Sequence, residues 1–127
     1  MSRKTILLVD DSNTILMMEK FILRNGPYDL VTASDGVEGV RKASEHLPDL
    51  ILLDVIMPKM GGFEACRLIR GAEATKSIPI IMVTTRGEAA NVEAGWANGC
   101  TDYVTKPINA IELLSKVRNF LGDEVAQ

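Results

Sequence analysis

Short apolar runs that stop on polar residues recur along this chain, and their alternation with amphipathic stretches of helix length leaves few folds open to it. The most telling run is Leu50-Ile51-Leu52-Leu53, where four aliphatic residues in a row leave no side for water. Such a run reads as a strand buried on both faces inside a parallel sheet. It stops on Asp54, and Pro58 with the Gly61-Gly62 pair then enforces a shaped loop. Thr5 to Val9 repeats the pattern and stops on Asp10 and Asp11. Ile78 to Val83 closes on Thr84-Thr85, with Pro79 tolerable at the strand start. Asp102 to Thr105 closes on Lys106-Pro107, and a further short strand centres on Leu30-Val31-Thr32.

Helical periodicity fills the intervals. Asp11, Ser12 or Asn13 caps a helix from about Thr14 to Arg24 with Ile15, Met18 and Ile22 on one face. Asp35 and Glu38 are spaced as a capping pair for a helix over about Val37 to His46, with Val37, Val40 and Ala43 inward. Phe63, Cys66, Leu68 and Ile69 form the inner side of a helix ending near Gly71. A weaker helix covers about Glu88 to Asn98, with Gly95 inside it and Trp96 read as core. Asn109 and Glu112 start the last helix, with Ile111, Leu114, Val117 and Leu121 inward, and a frayed tail is expected from Gly122. Five strands alternating with five helices predict an α/β, doubly wound parallel sheet. The 127 residues have room for one domain, spanning 1–127 with a core of about 4–121.

Charge excludes several classes of function. With 14 Lys and Arg against 17 Asp and Glu, a net charge of -3 and no dense basic cluster, no direct nucleic-acid or anionic-membrane surface is expected. No apolar run approaches the roughly 20 residues needed to cross a bilayer. Cys66 and Cys100 lack metal or redox spacing and read as reduced thiols of a cytoplasmic protein. His46, the single histidine, cannot build a metal cluster alone.

A parallel sheet gathers its strand C-termini at one edge, which brings Asp10, Asp11, Asp54, Thr84 and Lys106 together from four strands. Singly these residues read as helix caps, a strand end and a solvated turn. Jointly they form a site. Carboxylates about 4 Å apart repel by roughly 4 kcal/mol per pair at an effective dielectric near 20, so positive charge must sit among them. Lys106 supplies one charge, and a hard divalent ion such as Mg2+ suits the remaining oxygens. Cation, ammonium and hydroxyl together suit phosphoryl transfer, with Asp54 as a nucleophile able to form an aspartyl phosphate.

The ordered set Asp10-Asp11, Asp54 with Val55-Ile56-Met57-Pro58-Lys59-Met60-Gly61-Gly62, Thr84, and Tyr103-Val104-Thr105-Lys106-Pro107 resembles the receiver domain of two-component response regulators, over about Lys4 to Leu121. The resemblance implies a flavodoxin-like fold with strand order 2-1-3-4-5 and a usually cis Lys106-Pro107 bond. It implies that Asp54 accepts a phosphoryl group from a histidine kinase, a histidine phosphotransfer protein or a small donor such as acetyl phosphate. Asp11, Asp54 and the Ile56 backbone carbonyl would hold Mg2+, with Asp10 acting through a water. Thr84 and Lys106 would contact the phosphoryl oxygens, and Thr84 with Tyr103 would carry the switch to a downstream protein target.

The implied protein is a switch and not a turnover enzyme, a monomer or a phosphorylation-dependent dimer. It is closest to stand-alone chemotaxis-type receivers, although a receiver cut from a longer protein has the same sequence signature. A phosphate-independent interaction module and a metal-dependent phosphohydrolase are the competing readings. The intact acidic cluster opposes the first, and the lack of a separate acid or base opposes the second. Three positions depart from the family or bear on kinetics. Thr85 stands where Ala or Gly is usual, Ile56 cannot hydrogen-bond an attacking water, and Arg86 can lie over the phosphate. Slow phosphate loss is therefore expected.

Overall fold

The computed structural model describes residues 3–85 and 89–122, with the backbone alone for 89–92. In chain order the elements are β1 (Lys4–Val9), α1 (Asn13–Leu23), β2 (Tyr28–Ala33), α2 (Gly36–His46), β3 (Leu50–Asp54), α3 (Gly62–Gly71), β4 (Ile80–Thr85), α4 (Ala89–Ala97), β5 (Asp102–Lys106) and α5 (Ala110–Leu121). The strands form one sheet in the order β2-β1-β3-β4-β5, and every pair is parallel. The expected Glu88 helix start, Arg86 and the tail beyond Gly122 lie outside the described residues.

The sheet is covered on both sides. Leu7, Val9, Ile51, Leu53 and Met82 pack with Ala43 of α2 and with Ala65, Cys66 and Ile69 of α3. On the other face Ile6, Leu8, Leu50, Leu52, Val83 and Val104 meet Leu16 and Leu23 of α1 and Leu113, Val117 and Leu121 of α5. All of β3 is buried, as its uninterrupted aliphatic run requires. Each fully buried aliphatic contributes about 2 kcal/mol, so β3 anchors the sheet at the strand that carries Asp54.

Capping follows the sequence closely. The Ser12 side chain accepts from Ile15 N, Asp35 from Glu38 N and Asn109 from Glu112 N. Glu38 returns the bond one residue earlier than a standard box, with its Oε1 accepting from Ser34 N at 2.7 Å. Helix faces depart from it. The inward residues of α1 are Leu16, Glu19 and Leu23, so Met18 is exposed and Ile15 and Ile22 are only half-buried. On α2, α3 and α5, Val37, Leu68 and Ile111 point outward, Ile111 with 80% exposure. Ala43 on α2 and Cys66 and Ile69 on α3 face inward as expected, joined by small residues that the periodicity did not single out, Gly36 and Gly39 on α2 and Gly62 and Ala65 on α3. A Cβ on Gly39 would stand 3.0 Å from the Val9 side chain, which shows how close α2 lies to the sheet. Trp96 is not core; it is half-exposed, edge-on to Tyr103.

The fourth strand begins at Ile80, two residues later than its apolar run. Ile78 N is drawn into a turn onto Thr75 O, and Pro79 has no N–H to donate. Gly99, at φ 98°, supplies the left-handed residue that breaks α4 from β5.

Candidate phosphoacceptor site

Register decides which side chains meet at the sheet edge. Leu8 pairs with Leu52, Asp54 with Val83, Val83 with Val104, and Thr85 with Lys106. Side chains alternate along a strand, so Asp10, Asp54 and Lys106 continue the face that carries Leu8, Leu52 and Val104, beneath α1 and α5. Thr84 has the opposite parity and shares its face with Met82 and Tyr103.

Asp10 is fully buried and Asp54 is 5% exposed, while Asp11 faces solvent. The Lys106 ammonium bridges the buried pair, 3.3 Å from Asp10 Oδ2 and 3.1 Å from Asp54 Oδ1. Backbone donors complete the arrangement: Ser12 N–H donates to Asp10 Oδ1 at 2.9 Å and Val55 N–H to Asp54 Oδ1 at 2.9 Å. The Lys106-Pro107 bond is cis. Asp10, Asp11 and Asp54 each offer one oxygen, all within 4.8 Å of one another. Asp10 Oδ2 is buried without a hydrogen bond although the ammonium is near. Convergent hard oxygens, one of them unsatisfied, fit a small divalent cation.

Burial pushes the Asp54 carboxyl up to about 6; the Asp10 charge adds to this, and Lys106 and Val55 N–H pull it back. For Lys106, burial works against the charge, but Asp54 and Asp10 outweigh it and hold the ammonium above its ordinary range. The site thus has a weakly basic, mostly ionised carboxylate, Asp54, held by the Lys106 cation. A cleft of about 140 Å³ opens onto it, lined by Asp11, Asp54, Ile56, Thr85 and Lys106 among others. Thr85, not Thr84, forms that wall. The Thr84 hydroxyl is buried with no hydrogen-bond partner.

Tyr103 is half-buried and held from two sides. Its ring meets Trp96 edge to face with centroids 6.3 Å apart, and Lys116 Nζ lies 4.8 Å over it while donating to Tyr103 O. Lys116, which contacts Tyr103, and the buried Glu19 of α1 were not legible in the sequence. Nothing in the sequence singles out either residue, because apolar residues on more than one face of α1 leave its inward phase open.

The family model for the response regulator receiver domain matches residues 6–118. This chain belongs to that family. The receiver is 39% identical over 118 residues to the alkaline phosphatase synthesis transcriptional regulatory protein PhoP of Bacillus subtilis, covering 93% of this chain and 48% of PhoP. It therefore spans about half the length of the curated relatives it matches. Among solved structures, the receiver resembles chemotaxis protein CheY4 of Vibrio cholerae with a TM-score of 0.86 and 36% identity, covering 93% of this chain and 98% of the other. It also resembles the receiver domain of sensor histidine kinase PA1611 from Pseudomonas aeruginosa, with a TM-score of 0.87 and 30% identity, covering 95% and 99% of the two chains. That structure has a magnesium ion coordinated in its active site cleft. No helix among the described residues of this receiver is long and apolar enough to cross a membrane.

Proposed function

We propose that this receiver is a phosphoacceptor switch in which Asp54 takes a phosphoryl group from the phosphohistidine of a kinase or phosphotransfer protein. The observation that carries the reading is Asp54 itself, a buried carboxylate at the floor of an open cleft, with Oδ1 held by Lys106 and Val55 N–H. Oδ2 is the oxygen engaged by neither, and it attacks phosphorus. A P–O bond forms as the P–N bond to the donor breaks; the bonding pair stays on the imidazole nitrogen, which takes up a proton from solvent as it leaves.

Asp11, Asp54 and the Ile56 carbonyl would hold Mg2+, with Asp10 reaching it through a water; the ion neutralises phosphoryl oxygens when bound. Lys106 stays on the acceptor side, paired to Asp54 before transfer and available to a phosphoryl oxygen after it. The new group adds about 1.5 to 2 negative charges. Thr84, whose hydroxyl lacks a partner, then turns towards it, and Tyr103 moves into the space released. The surface of α4, β5 and α5 is remodelled for a downstream protein. The chain acts as a switch in the cytoplasm and not as a turnover enzyme.

Phosphorylation with acetyl phosphate, read by intact mass, tests this. The receiver gains one phosphoryl group only with Mg2+ present, and Asp54→Ala gains none. Uptake that is independent of Mg2+ or survives Asp54→Ala refutes it.

A further inference from the structure

Among the described residues β5 is the last strand of the sheet, so the peptide groups on its outer side have no neighbouring strand to pair with. Side chains take that place at Tyr103. Its N–H donates to Asp102 Oδ1 at 2.8 Å, and its carbonyl oxygen accepts from Lys116 Nζ. Asp102 Oδ1 and Lys116 Nζ are themselves 3.3 Å apart, which closes a ring of contacts around the Tyr103 peptide.

Lys116 reaches this ring from the far side of the sheet. Its α5 neighbours Leu113 and Val117 pack with Ile81, Val83 and Val104 on one face, whereas Tyr103 packs with Met82 on the other. The lysine stem therefore passes round the edge of β5, and the ammonium ends 4.8 Å over the Tyr103 ring. Glu112, one turn earlier on α5, lies 3.5 Å from the same ammonium and helps to fix it there. A lysine that only guards a strand edge needs to do no more than point into water. This one is half-buried and anchored by two carboxylates, with its charge on the face of the ring that Trp96 meets edge-on.

We propose that Lys116 is a positioning residue of the switch, holding the Tyr103 ring in its resting place and so setting how readily the receiver takes up its displaced form. The inference rests on the switch reading of Tyr103 above. The bond from Lys116 to the Tyr103 carbonyl does not depend on where the ring lies, but the cation contact lasts only while the ring stays beneath the ammonium. Lys116 therefore favours the resting form. A ligand that selects the displaced form binds against that preference, and removal of the ammonium should tighten its binding.

The test titrates the receiver with beryllofluoride, a mimic of the phosphoryl group, in saturating Mg2+ in a calorimeter. The natural chain is compared with Lys116→Met, which keeps a long apolar stem without the charge, and Lys116→Arg, which keeps a cation able to stack on the ring. Lys116→Met should bind beryllofluoride about fivefold to tenfold more tightly, and Lys116→Arg should bind as the natural chain does. In the ligand-free state the Tyr103 ring signals of Lys116→Met should already be shifted towards their beryllofluoride-bound positions by aromatic NMR. A lysine that merely supports the fold would leave binding unchanged or weaken it when replaced, and either result in Lys116→Met overturns the inference while the natural chain still binds. Failure of the natural chain to bind beryllofluoride overturns the phosphoacceptor reading and this inference with it. If Lys116→Met does not fold, Asp102→Asn takes its place: the amide oxygen still accepts from Tyr103 N–H, but the ammonium loses an anchor. Tighter binding by Asp102→Asn supports the inference, and unchanged or weaker binding overturns it.

Discussion

Replacing Asp54 by Asn should stabilise the metal-free receiver at neutral pH and leave it unchanged in acid. The carboxyl rises from 3.8 to about 6 on folding. Between those values the folded chain holds a proton that the unfolded chain has released, so stability falls as pH rises through the window and the full loss applies above pH 6. About two pH units at roughly 1.4 kcal/mol each give a cost on the order of 3 kcal/mol. That cost already includes the help of Lys106, 3.1 Å away. Asn keeps an oxygen for Val55 N–H and removes the buried charge beside Asp10. Urea unfolding in EDTA at about pH 7.5 and pH 4 measures the effect. With an m-value of about 1.5 kcal/mol/M, the midpoint rises by roughly 1 to 2 M at the higher pH and does not move at the lower. Mg2+ should narrow the gap by stabilising the natural chain more than the variant. An Asn variant less stable at pH 7.5, or a difference that persists unchanged at pH 4, refutes the electrostatic argument.

Lys106→Met removes the ammonium shared by Asp10 and Asp54. It should cost about 2 kcal/mol in the natural chain and much less in the Asp54→Asn background, and a double-mutant cycle by urea unfolding reads the coupling. Ile56→Asn, at the exposed rim of the cleft, should speed loss of the phosphoryl group about tenfold, the size of one added hydrogen bond of about 1.4 kcal/mol to the attacking water; decay of the purified phosphoprotein in Mg2+ checks this, and an unchanged rate counts against the proposed brake. Gly62→Ala would place a Cβ 2.0 Å from the Asp54 carbonyl oxygen. The backbone there has little freedom to yield, so a loss of about 3 kcal/mol or more is expected by thermal unfolding.

The architecture was legible because it depends on patterns that tolerate error. Four apolar runs ending on Asp, Thr or Lys, with a fifth centred on Leu30-Val31-Thr32, identify the strands whichever residue each begins on, and parallel topology then gathers their ends. Helix orientation was harder to read. In the α1 sequence Asn-Thr-Ile-Leu-Met-Met-Glu-Lys-Phe-Ile-Leu, apolar residues occupy more than one face, so periodicity fits Ile15, Met18 and Ile22 as readily as Leu16 and Leu23. The observed phase buries Glu19, which no rule that places charges outside would select. On α2 and α3 the inward readings of Ala43, Cys66 and Ile69 hold, but Val37 and Leu68 are exposed, and close approach to the sheet selects Gly36, Gly39, Gly62 and Ala65, which periodicity did not single out. The acidic site was legible residue by residue, but its two faces were not. Only the pairing of Val83 with Asp54, and of Thr84 with Thr105, shows that Thr84 begins on the side away from the acceptor.

The edge-to-face packing of Trp96 on Tyr103 gives the receiver an optical readout of its own. The chain has one tryptophan, so its emission comes from one place and needs no deconvolution. The indole is half in water and half against the Tyr103 ring, which the proposed switch would displace. Such a movement would uncover the indole to a more polar medium and shift its emission to longer wavelength. Stopped-flow fluorescence would then time the proposed rearrangement separately from the proposed chemistry at Asp54, without a label.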